Sequence, residues 1–279
     1  MASIFFNIKV NVILMSDLIS QNLNMTFTSP KGETIHALQD INFVLKKGQL
    51  LTVLGPSGCG KTTLLNIAAG FLRPTSGKMF LGNNEIDSPG VERGMVFQQG
   101  ALFEWLTVEK NVNFGLRMRK ENPHQTKAKV DDWLKIVGLM GLGNTPTYQL
   151  SGGMQQRVAL ARCLITGPEL ILMDEPLGAL DALTREKMQS LILKLWNETG
   201  KTIVLITHSV EEALLLGERL FVMAPSPGRI HKEYKLPFCS LGLKGDLREI
   251  KNSKEFVSTR EEVLAMIWDM EEEIMGKTI

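Results

Sequence analysis

Cysteine is scarce and scattered. The three residues, Cys59, Cys163 and Cys239, form no C-x-x-C pair and no Cys/His ligand spacing. That excludes a structural zinc site and a disulfide framework, and predicts three reduced thiols. Charge of one sign is also missing. Thirty-one Lys and Arg face 30 Asp and Glu, for a formal net charge of +1, so no basic surplus points to nucleic acid as a partner. No stretch of about 18 apolar residues occurs, which predicts no membrane-spanning helix. The opening stretch is apolar but interrupted by Asn7, Lys9 and Asn11. It has neither the basic start nor the small-residue cleavage site of a secretory signal. Met15 offers a second start. Repeats and low-complexity tracts are absent as well.

What remains is ordinary globular material: 279 residues, 44% hydrophobic and 22% charged, enough for one large domain or two small ones. Three short apolar runs stand out as buried strands: residues 49–55, 169–176 and 201–208. They end in glycine, in two acids and in histidine. Helical patterns lie between them, and residues 61–69 read as a helix closed by Gly70. Strands alternating with helices predict an α/β domain with a largely parallel sheet. Ligands in such sheets bind at the carboxyl ends of strands, where Gly55, Asp174, Glu175 and His208 all fall. Residues 100–165 have helical periodicity and no buried strand, as in 107–120 and 127–140, and read as an inserted helical subdomain. Residues 257–275 form an amphipathic pattern with Val263, Leu264, Ile267 and Ile274 on one face.

Residues 55–62 match G-x-x-x-x-G-K-[ST] in full, between a strand and a helix. Glycines there let backbone N–H groups converge on phosphate oxygens, and the helix dipole adds favourable charge. Lys61 would reach the β- and γ-phosphates, and Thr62 would offer its hydroxyl to Mg²⁺. Asp174 stands where an acid holds Mg²⁺ through water, and Glu175 where one polarises an attacking water. His208 is placed to contact the γ-phosphate. These residues describe a nucleoside triphosphatase. The dipeptide Asn-Lys occurs nowhere, so the usual guanine-recognition element is missing. A second glycine-bearing helix start, Leu150-Ser151-Gly152-Gly153-Met154-Gln155, is a further place to hold an anion.

Taken together these stretches resemble the ATP-binding cassette (ABC) family, over about residues 20–230. The resemblance implies a phosphate-binding (P-loop) NTPase core with a parallel sheet, an antiparallel β portion and an inserted helical subdomain. Residues 55–62 match its Walker A loop; Gly55, Pro56, Ser57, Gly58, Cys59, Gly60, Lys61, Thr62 and Thr63 are then the nucleotide-binding set. Gln98 matches the Q-loop glutamine, near catalysis and Mg²⁺; Leu150 to Gln155 match the signature; Asp174 matches Walker B; Glu175 matches the catalytic glutamate. Asp181 matches the D-loop and His208 the switch histidine. Phe27 falls roughly where the family keeps an aromatic for adenine. Met154 departs from the commonest signature, which has glutamine there.

The family pairs two cassettes head to tail. Ser151, Gly152, Gly153 and Gln155 would then close over ATP held by the second copy. Separate importer subunits fit the chain best, because no membrane segment is fused to it. Residues 92–115, 173–186, 205–213 and 227–230 are similar to taurine, alkanesulfonate and nitrate importer cassettes, and residues 248–264 look most like the taurine branch. The implied partners are a second copy, integral membrane permease subunits and a periplasmic or lipid-anchored solute-binding protein. The implied place is the cytoplasmic face of the inner membrane. An importer for nitrate or another small solute, or a free-cassette exporter or lipid-handling complex, is the alternative. The expected division is a 1–19 extension, a 20–235 ATPase domain with its subdomain at about 100–165, and a 236–279 helical tail. Phe103 and Trp105, just after Gln98, suit either a permease groove or the subdomain core. Cys59, in the phosphate loop at a helix N-terminus, is expected to be a reactive thiol of lowered pKa.

Overall fold

The computed structural model describes residues 17–98 and 101–276, with side chains through 273. Most of the expected N-terminal extension, and Ile274 of the amphipathic face, lie outside the described side chains.

Two sheets make the body. An antiparallel sheet has the order β2-β1-β4-β5, from β1 (Leu18–Thr28), β2 (Thr34–Leu45), β4 (Ser76–Leu81) and the short β5 (Asn84–Glu85). Its first strand begins at Leu18, two residues inside the expected 1–19 extension. The second sheet has the order β10-β9-β3-β8-β7-β6: β3 (Leu50–Leu54), β6 (Arg93–Val96), β7 (Leu170–Asp174), β8 (Thr202–Ile206), β9 (Arg219–Ala224) and β10 (Arg229–Lys235). Its strands run parallel except β10, which pairs antiparallel with β9 at the edge.

All five residues of β3 and of β8 are buried. Both faces of this sheet are covered, so the strands need no polar alternation. Alternate side chains enter different cores. Leu50, Leu54, Ile171, Met173, Ile203 and Leu205 pack with α5 (Gly152–Leu164), α6 (Ala182–Thr199) and α7 (Val210–Leu216). Leu51, Val53, Leu170, Leu172, Val204 and Ile206 pack with α1 (Lys61–Ala69) and the antiparallel sheet.

The helical subdomain has its own core of Val108, Val112, Leu116, Val130, Leu134 and Leu150, contributed by α2 (Val108–Val112), α3 (Phe114–Met118), α4 (Pro123–Ile136) and the segment before α5. The stretch of helical periodicity over 107–120 forms two helices that meet at Asn113. Helix α5 serves both regions. Val158 and Ala161 face the subdomain, whereas Ala159, Leu160 and Leu164 face the main sheet. The tail consists of α8 (Phe238–Gly242), α9 (Leu247–Lys251) and α10 (Lys254–Gly276). Phe238, Phe256, Val263 and Met270 bury it against the main core. Among the described residues no helix is long and apolar enough to cross a membrane.

Candidate functional site

Strand β3 delivers the chain to the phosphate loop, and α1 leaves it at Lys61. Gly60, the residue before that helix, sits at φ 93° with no side-chain cap. A Cβ there would meet Leu38 Cδ2 at 2.6 Å and the Ala37 carbonyl at 2.7 Å, so only glycine fits. The first N–H groups of α1 therefore point into open space with no side chain to satisfy them. That space is a cleft of about 540 Å³ walled by Ser57, Gly58, Lys61, Thr62 and Thr63, with Glu175 and His208 at the neighbouring strand ends. Lys61 is 8% exposed, and its ammonium donates to the carbonyls of Gly55 at 2.7 Å and Pro56 at 3.0 Å. The loop thus holds a cation beside the helix N-terminus, a fit for a polyanionic phosphate chain.

At the end of β7, burial and the adjacent Glu175 charge push the Asp174 carboxyl up, with Lys61 opposing. A carboxylate so destabilised suits a divalent cation, and carboxylate with hydroxyl oxygen from Thr62 is the donor chemistry Mg²⁺ takes. Glu175 has φ 45°, a left-handed backbone uncommon for a side chain of its kind. Its N–H donates to the Ile206 carbonyl at 2.9 Å, which fixes it between β7 and β8. Its Oε2 accepts from Gln98 Nε2 at 3.3 Å and lies 3.1 Å from His208 Nδ1. Three residues expected at the γ-phosphate, far apart in sequence, therefore meet at one oxygen.

Cys59 departs from expectation. Its side chain is 0% exposed and packs in the core beneath the loop. Burial pushes the thiol up in spite of Lys61 nearby. A side chain turned inward loses hydration of its thiolate, and that outweighs the helix N-terminus. Only the Cys59 backbone can serve a phosphate. Phe27 pairs across the strands with Ile35, and Ile35, His36 and Ala37 line the cleft on that side.

The signature lies elsewhere. No residue of 150–155 lines the cleft. Ser151 caps α5 and accepts from the Met154 N–H at 3.4 Å. Gly152 is exposed, and a Cβ there would meet nothing within 4 Å. Gly153 is buried, and a Cβ there would come 2.3 Å from Thr184 Cγ2 at the start of α6. Gln155 donates from its side-chain amide to the Thr147 carbonyl at 3.0 Å. Asp181 caps α6 by accepting from Thr184 N–H at 3.0 Å, and hydrogen bonds to Thr184 hold its carboxyl low. Gly153 thus brings the signature helix against the helix that Asp181 opens.

Several site residues carried no sequence signal. Ile35, His36 and Ser226 line the cleft from strands and turns without a motif. Gln156 is 3% exposed and donates to the Phe97 carbonyl at 3.3 Å, tying the signature helix to the segment of Gln98. Only its position beside the signature gave any hint of it.

A phosphate loop on a parallel sheet, a glutamine, glutamate and histidine converging opposite it, and a separate capped signature helix define a cassette-type ATPase. A model of the ABC transporter family matches residues 38–178, and the chain belongs to that family. It is 81% identical over 265 residues to the taurine import ATP-binding protein TauB of Pelagibacter ubique, covering 95% of this chain and 100% of that one. To the protein of the same name from Jannaschia sp. it is 64% identical, covering 95% and 98%. A dimeric ABC cassette in a post-hydrolysis state bound to ADP and Pi superposes with a TM-score of 0.70 at 34% identity, over 78% of this chain and 98% of that one. CbiO1 of Clostridium perfringens, part of the ABC transporter complex CbiONQ, does so with a TM-score of 0.73 at 29% identity, over 89% and 100%.

Proposed function

We propose that this chain is the ATP-hydrolysing subunit of an importer for taurine or closely related sulfonates. It works as a head-to-tail pair with a second copy beneath a separate membrane permease. The observation that carries the solute is the 81% identity to a taurine import ATP-binding protein over that protein's full length. A periplasmic or lipid-anchored solute-binding protein would deliver the solute, and the pair would sit at the cytoplasmic face of the membrane. The ATPase domain runs from β1 at Leu18 to about 235, and the tail helices α8, α9 and α10 pack on it.

Lys61 and the N–H groups of residues 57–63 hold the β- and γ-phosphates. Thr62, Asp174 and Gln98 would hold Mg²⁺, which would supply positive charge against the phosphate oxygens. Glu175 orients and polarises the attacking water, and the convergence of Gln98 and His208 on its Oε2 supports that role. His208 also faces the γ-phosphate, while Ile35 and its cross-strand neighbour Phe27 lie toward the base. Ser151, Gly152 and the backbone at Gly153 complete the second copy's site, and Asp181 lies at that contact. Gln155 shapes this surface from within through Thr147. Trp105 is 79% exposed, which supports a permease contact near Gln98. Phe103 instead packs on Phe114 at 4.4 Å between ring centres and anchors the loop.

The test is growth of a strain lacking the gene with taurine as the only sulfur source. Failure to grow, restored by the normal gene but not by Glu175→Gln, is expected. Unimpaired growth and taurine uptake would remove the solute assignment.

A further inference from the structure

Glu212 has no part in the roles above, yet it is a carboxylate only 4% exposed. It stands in the first turn of α7, three residues after the cap Ser209. A serine cap with glutamate at that spacing ordinarily turns the carboxylate back onto the cap's own N–H. Here Thr207 takes that place. Its Oγ1 accepts from the Ser209 N–H at 3.0 Å and donates to Glu212 Oε2 at 2.7 Å. The other oxygen, Oε1, lies 3.4 Å from Arg185 Nε. Arg185 in turn donates from Nη2 to the Leu180 carbonyl at 2.7 Å, with Nε 3.5 Å from the Leu177 carbonyl.

Those contacts join two places that matter. Thr207 immediately precedes His208. Leu177 and Leu180 belong to the loop that runs from Glu175 to Asp181. Burial pushes the Glu212 carboxyl up, while the Thr207 hydroxyl and the charges of Arg185, His208 and Lys251 pull it down. Lys251 comes from α9, where its Nζ also reaches Gln189 Oε1 at 3.3 Å. A buried carboxylate held this way is sensitive to the loss of any one partner.

We propose that Glu212 is a positioning residue that locks the His208 end of β8 to the Asp181 loop, through Thr207 on one side and Arg185 on the other. It rests on the head-to-tail reading above, in which His208 faces the chain's own nucleotide and Asp181 the second copy. One carboxylate then links the switch of one ATP site to the contact that completes the other.

The experiment is steady-state ATP hydrolysis by the full-length chain, with melting temperature measured alongside. Glu212→Gln keeps the shape and removes the charge that Arg185 faces. Its kcat is expected to fall about tenfold while KM for ATP stays within about twofold. Arg185→Gln should do the same. The double variant should lose no more than the worse single one, because both break one link. A helix cap and nothing more would lower the melting temperature and leave kcat alone. A folded Glu212→Gln protein with full kcat, or a double variant whose loss is the product of the singles, overturns the proposal. Should Glu212→Gln fail to fold, Arg185→Gln decides, since its side chain is 38% exposed; full kcat there overturns it equally. Glu175→Gln runs as the control. Normal hydrolysis by that variant overturns the active-site reading itself, whatever the Glu212 series does.

Discussion

Helix α1 and helix α5 both open on glycine, and both offer free backbone N–H groups, yet they are finished differently. The start of α1 is enclosed. Gly60 is pinned under Leu38 and Ala37, Lys61 is buried beside it, and the strand ends of β7 and β8 bring Glu175 and His208 across a shared cleft. The start of α5 is open. Ser151 and Gly152 are exposed, no acid or histidine faces them in the cleft, and the one tight contact, Gly153 on Thr184, is made on the inner side. A complete site needs something on every side of the phosphate; a half-site needs only a flat, donor-rich face. The same local chemistry therefore makes a cradle in one place and, in the proposed pair, a cover in the other, according to what the fold sets around it.

The strongest way to break this comparison is Glu175→Gln. It should leave both helix starts intact and slow hydrolysis by roughly 10²–10⁴-fold, while an ATP-bound pair accumulates in size-exclusion chromatography. Near-normal turnover would strip Glu175 of its role. Ser151→Arg comes next, with hydrolysis down roughly 10²–10³-fold but ATP affinity of dilute single chains unchanged. Equilibrium nucleotide binding on those dilute chains decides it, for a large loss of affinity there would mean that the signature serves its own chain. Mixing that variant with Lys61→Ala should return part of the activity, through one intact composite site. A sharper contrast lies inside the signature. Gly153→Ala should destabilise the fold by about 1–3 kcal/mol, because its Cβ meets Thr184, whereas Gly152→Ala should stay within about 0.5 kcal/mol. Denaturant midpoints for the two variants test this; equal shifts would mean that α5 and α6 are not in that close contact.

The smallest effect is at Cys59. A raised thiol pKa means less thiolate at neutral pH, with reactivity appearing only as pH climbs toward that pKa. Cys163, buried likewise, is pushed up to about 12. Alkylation of the native chain at pH 7 should run roughly tenfold or more slower than of the unfolded chain. Fast inactivation that Mg-ATP prevents would show that the thiol is exposed after all.

Strands β3, β7 and β8 were legible as continuous apolar runs because helices and a second sheet cover both faces of their sheet. Strand β1 was not. Its pairing with β2 shifts register between Ser20 and Leu23 and again near Met25, which breaks the period of two that marks a half-buried strand. Strand β6 is four residues long and only its last residue is fully buried, so it carries little pattern. Within the site, Lys61 was readable from the glycine motif of residues 55–62, and Asp174, Glu175 and His208 because each sits at or beside the end of such a run. Ile35, His36 and Ser226 come from segments with no local motif, and only the packing of β2 and of the turn after β9 brings them to the cleft.

The sequence alone determined the chemistry on offer: a glycine loop ending in Lys61 and Thr62, acids and a histidine behind buried strands, and a second helix start at Ser151. Residue type and spacing along one element are local properties, so they survive in the linear chain. The tertiary structure decided which of these groups meet. It turned Gln98 and His208 onto one oxygen of Glu175, sent the Cys59 thiol inward, bonded the Gln155 amide to the Thr147 carbonyl, and set the signature on a face apart from the cleft. Those outcomes depend on the direction of a side chain relative to segments far away in sequence. Only the packing of sheets and helices fixes that direction, because burial and hydrogen-bond satisfaction are properties of the whole fold.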